Sequence, residues 1–64
     1  MEKEMYANRL QKNTLGFSID VLSSNGTWVT MYQLNSVDHN SAVIEANALI
    51  SIWNKNGGRY HEVK

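Results

Sequence analysis

The chain has 64 residues, with six Lys plus Arg against six Asp plus Glu and no cysteine. A domain of this size buries only about 60% of the surface its unfolded chain exposes, and the absence of cysteine excludes disulfide reinforcement, Cys-ligated zinc and thiol chemistry. A formal charge of zero argues against a free-standing nucleic-acid binder, whose affinity rests on neutralising phosphates, and so small a core favours oligomerisation or a partner.

Residues 1–13 are polar and mixed in charge, with Met5, Tyr6 and Leu10 as the only sizeable apolar groups after the initiator. A short helix over residues 3–12 would present a thin apolar edge and form only if docked; otherwise the segment frays. The expected organisation is a flexible or docked segment of residues 1–13 ahead of one domain spanning residues 14–64. The opening MEKEMYANRL lacks the charged-then-apolar layout of a signal peptide, and no apolar run approaches the roughly 20 residues that cross a bilayer. Cytoplasmic residence without membrane contact is therefore expected.

Residues 15–22, LGFSIDVL, alternate in polarity, with Leu15, Phe17, Ile19 and Val21 on one side, as a half-buried strand requires. Asn25-Gly26 follows, a strong hairpin signal, and residues 27–34, TWVTMYQL, supply a return strand rich in aromatic and β-branched groups. A shift of one residue would move every side chain to the other face. With a two-residue Asn25-Gly26 loop, Phe17, Ile19 and Val21 face Leu34, Tyr32 and Thr30, while Val29 and Met31 point outward. With a three-residue loop that places Gly26 in a left-handed bulge, Val29 and Met31 join the core, and Trp28, Tyr32 and Leu34 line the outer face. The two-residue loop is the expected geometry.

Residues 38–58 form an amphipathic helix in which Ala42, Val43, Ala46, Leu49, Ile50 and Trp53 share one arc of about 120°. Asp38, Asn40 and Ser41 are all candidate N-caps, and Asn56, Gly57 and Gly58 terminate the helix. A second apolar row, Ile44, Ala48 and Ile52, lies outside that arc. It is covered by the N-terminal segment folding back, by a strand end reaching round it, or by another chain. Residues 59–64, RYHEVK, read as a brief last strand. The expected fold is α+β: a three-stranded antiparallel sheet in ββαβ order, with strand order 2-1-3 and the helix on one face.

The inventory for catalysis is thin. His39, His61 and Asp38 form no metal-binding spacing, and Ser23, Ser24 and Ser41 have no paired base. The glycines serve turns and the helix end rather than a phosphate loop. Neither enzymatic activity nor a cofactor is expected. Trp28, Tyr32 and Tyr60, flanked by Arg59 and Lys64, could stack single-stranded bases if they face out, but Asp20 and Glu62 would repel phosphate.

Glu45-Ala46 followed by Asn47-Ala48 within the hairpin-then-helix order of residues 17–49 resembles antitoxin-type domains, which implies a homodimer. In general style the chain resembles small phage-encoded inhibitors such as anti-CRISPR proteins: very short, cysteine-free, one sheet and one helix, no catalytic set. That likeness implies stoichiometric inhibition of a larger host complex. The expected function is accordingly a protein–protein interaction module, with another protein or a second copy as partner and nucleic acid as a less favoured ligand. The expected contact residues are Ile44, Ala48 and Ile52 on the helix, Trp28, Val29, Met31 and Tyr32 on the sheet, and Arg59 with Tyr60 near the last strand.

Overall fold

A computed structural model describes residues 4–64. The elements run β1 (Asn8–Asn13), β2 (Gly16–Leu22), β3 (Trp28–Gln33) and α1 (His39–Lys55), and the three strands form an antiparallel sheet in the order β1-β2-β3. The fold is α+β, as expected, but the order is βββα rather than ββαβ and the strand order is not 2-1-3.

The place beside β2 that residues 59–64 were expected to fill belongs to β1. Leu10 of β1 packs against the core, whereas Arg9, Gln11 and Asn13 alternate to the other face. A strand with one large apolar residue lacks the period-2 signal, so residues 3–12 read as a docked helix or a tail; position 3 of that span lies outside the described residues. The β1-β2 turn is equally unmarked. Thr14 and Leu15 sit between the paired Asn13 and Gly16, and the Asn13 side chain accepts from the Leu15 N–H (3.0 Å). Gly16, at φ +133°, takes the conformation an L side chain resists, and a Cβ there would lie 3.0 Å from the Ser36 carbonyl oxygen.

Both hairpin registers considered for β2 and β3 occur, one in each half. Near the turn the loop is the three-residue one: Ser23 N–H donates to Thr27 O (2.8 Å), Gly26 has φ +86°, and Asp20, Val21 and Leu22 face Thr30, Val29 and Trp28. The register then shifts between Ile19 and Asp20, so that Ile19 faces Tyr32 and Ser18 faces Gln33. Met31 is the extra residue of a β-bulge, and a bulge turns two successive side chains to one face. Hence Met31 packs against the core and Tyr32 reaches Trp53 of the helix. The expectation that Met31 and Val29 point outward is corrected: both belong to the helix side, together with Tyr32 and Leu34.

The core is small: Phe17, Ile19 and Leu34 from the sheet region, with Ala42, Ala46 and Ile50 from α1. The two buried alanines let the helix lie close to the strands. Asp38 is the N-cap, its carboxylate accepting from Ser41 N–H (3.0 Å). The other end closes with Gly58 N–H on Trp53 O (2.9 Å) and Gly57 N–H on Asn54 O (3.3 Å), with Gly57 left-handed at φ +101°.

After Gly58 the chain returns without regular secondary structure. It runs between α1 and the start of β1, where Tyr6 N–H donates to Arg59 O (2.8 Å). Three asparagine side chains replace a strand ladder. Asn8 bonds the His61 carbonyl and N–H (3.0 and 2.8 Å), Asn54 those of Tyr60 (3.1 and 2.9 Å), and Asn47 those of Val63 (2.9 and 2.8 Å). An amide side chain carries one donor group and one acceptor, so each behaves as a detached peptide unit towards the segment.

Candidate protein interface

Of the expected contact residues, the helix row stays uncovered. Ile44 is 72% and Ile52 55% exposed, and Ala48 between them is exposed too. Residues 8–13 are committed to the sheet, and among the described residues nothing of the N-terminal segment folds back over the row. Around the helix, Ser41, Ser51 and Lys55 project near the same arc. The result is a narrow apolar ridge with a polar border.

Trp28 faces away from the helix, where the Arg9 guanidinium lies 4.2 Å from its ring centroid. Together they roof the centre of the sheet's outer face. Beneath them Ser18 and Asp20 are buried, the Ser18 hydroxyl donating to Asp20 Oδ1 (2.7 Å) and Arg9 Nε standing 3.7 Å from Asp20 Oδ2. The contact between Arg9 of β1 and Trp28 of β3 thus explains how a carboxylate survives burial on the uncovered side of a single sheet. The pairing depends on β1 lying beside β2, which no local pattern in the sequence marks.

Tyr32, Trp53, Tyr60 and Tyr6 form a chain of edge-to-face contacts, with centroids 5.9, 5.4 and 4.8 Å apart, and the Arg59 guanidinium ends it, 5.0 Å from the Tyr6 ring centroid. Tyr60 is half-buried in this row and Arg59 is occupied by Tyr6. Trp28 lies on the opposite face of the sheet, so the three rings considered for base stacking share no platform.

Glu45 is turned inward to the β3–α1 connection. It accepts from Asn35 N–H (3.1 Å), Ser36 N–H (2.9 Å) and the Ser36 hydroxyl (2.7 Å). The Asn35 amide first, and then the Ser36 hydroxyl, hold its carboxyl below the usual range. With Ala46 in the core and Asn47 on Val63, three residues of the Glu45-Ala46-Asn47-Ala48 pattern are used to hold this fold together.

His39 begins α1 against Phe17, and His61 is held by Asn8 beyond the other end of the sheet. Among the described residues no group of three or more His, Asp or Glu side chains is placed to hold a metal ion, and no helix is long and apolar enough to cross a membrane. An open trough of about 570 Å³ between α1 and the C-terminal segment is lined by Asn47, Ser51, Asn54, Lys55 and Glu62, and both asparagines are already engaged with that segment. No family model, curated protein or solved structure matches the chain.

Proposed function

We propose that this chain is a non-enzymatic binding module that grips a partner protein through the ridge Ile44, Ala48 and Ile52. The observation that carries this reading is the exposure of two isoleucines on a helix that is anchored everywhere else. Its other face is in the core, its N-terminus is capped by Asp38, and Asn47 and Asn54 fasten the returning chain. Neither isoleucine contributes to the core cluster, and both are well placed to enter a groove as i, i+4, i+8 anchors of a helix. Stoichiometric inhibition is one use of such a module, consistent with the chain's small size and its style.

The double substitution Ile44→Asp and Ile52→Lys tests the reading. Both sites are exposed, so the thermal midpoint should stay near that of the unaltered chain, while a photo-cross-linker at position 48 should lose its adduct to the partner. Retention of every cross-linked partner by the double variant would remove the ridge from consideration.

A further inference from the structure

The two edges of the sheet are treated differently. The β1 edge carries Arg9 and Lys12, and its start is occupied by the C-terminal segment. The β3 edge has neither protection: residues 21–37 contain no Asp, Glu, Lys or Arg, and nothing among the described residues bonds to its outward backbone groups. Edge strands normally carry charge, proline or a cover because an open row of amides and carbonyls recruits another strand. Here the bare edge is also flanked by apolar side chains, Trp28 on one face (37% exposed) and Val29 and Tyr32 on the other (45% and 40%).

The backbone groups that point outward follow from the ladder. Ser23 N–H donates to Thr27 O at the turn, so alternation directs the N–H and C=O of Val29 towards β2 and those of Trp28 and Thr30 to the open edge. The bulge at Met31 limits the straight stretch to residues 27–30, about 14 Å of strand.

We propose that this edge pairs with the same edge of a second copy of the chain, antiparallel, about a two-fold axis at Val29. An unpaired edge recognises an extended backbone, and the straight half of β3 is itself such a segment, uncharged and β-prone. Centred on Val29, the pairing lets Trp28 of each copy exchange both backbone hydrogen bonds with Thr30 of the other, and Val29 meets its own counterpart as a close, non-bonded pair. No charges oppose one another anywhere along the contact. The axis stands normal to the sheet, so both helices lie on one side of a continuous six-stranded sheet. The surface involved differs from the Ile44–Ile52 ridge, and the pairing does not depend on it.

Sedimentation velocity from low to high micromolar concentration should show the mass double, and hydrogen exchange at Trp28 and Thr30 should slow over the same range. Val29→Lys places two like charges across the axis and should weaken association by more than about tenfold. Thr30→Pro deletes an outward N–H without touching the β2 ladder and should act likewise. Leu15→Lys, at an exposed turn position, and the Ile44→Asp, Ile52→Lys double variant should leave the dimer intact. A chain that stays monomeric at high micromolar concentration overturns the proposal. So does a dimer that survives both edge variants, or one abolished by the ridge variant alone.

Discussion

The two edges of the sheet show how a small domain can spend its polar residues. At the β1 end, Asn8, Asn47 and Asn54 hold an irregular segment with side-chain amides, and the covering brings Tyr60 and Val63 against the core. At β3 the backbone is left open and flanked by Trp28, Val29 and Tyr32. Only the β1 side gains a cover from within the chain, held by one backbone bond, Tyr6 N–H to Arg59 O, and by the asparagine side chains. The covered edge is therefore tied to folding and the open one to association.

Ending the chain at Gly58 breaks this contrast most severely. It removes the burial of Tyr60 and Val63 together with the asparagine-mediated bonds, and should cost about 3–5 kcal/mol, enough to leave so small a domain largely unfolded in urea titration. Asn47→Ala and Asn54→Ala each remove both bonds to one residue and should cost about 1–2 kcal/mol in chemical denaturation, with Asn47 the larger because it is half-buried. A cost near zero for both would show that the segment is held by packing alone.

Acid should act on neither edge but on the β3–α1 connection. Folding lowers the pKa of Glu45, through the Asn35 amide and the Ser36 hydroxyl, and that of Asp38, through Ser41. Both carboxylates stabilise the fold fully above their unfolded pKa values, and that contribution drains away as pH falls through the ordinary carboxylate range towards the lower folded values. Glu45→Gln should flatten this acid limb in a pH series of thermal midpoints. An unchanged limb would relocate the effect. The smallest effect is expected at the open edge: in dilute solution Val29→Lys should shift monomer stability by less than about 0.5 kcal/mol, since the site is exposed.

Some of this was legible in the sequence because single segments encode it. The helix is written in its own period, Asp38 was among its expected caps, and Gly57 and Gly58 end it as anticipated. The strand in residues 15–22 and a hairpin about Asn25-Gly26 stand as β2 and the β2-β3 hairpin, but Leu15 lies exposed in the turn before β2, Ser18 and Asp20 are buried, and the loop has three residues rather than the expected two. The second apolar row, Ile44, Ala48 and Ile52, is visible in the helical period, but its exposure depends on residues 8–13 joining the sheet.

Tertiary structure decided the rest. An edge strand with one core contact is held by pairing rather than by pattern, so β1 left no periodic trace, and its place was assigned to residues 59–64. Those residues are fixed instead by asparagine side chains, Asn54 from nearby but Asn8 and Asn47 from distant parts of the chain, a relation no local window contains. The bulge at Met31 reconciles a three-residue turn, which fixes one register, with a core that requires Leu34 opposite Phe17 and so fixes the other. Each demand could be read from the sequence, but only packing both on one helix showed that the strand must satisfy them together.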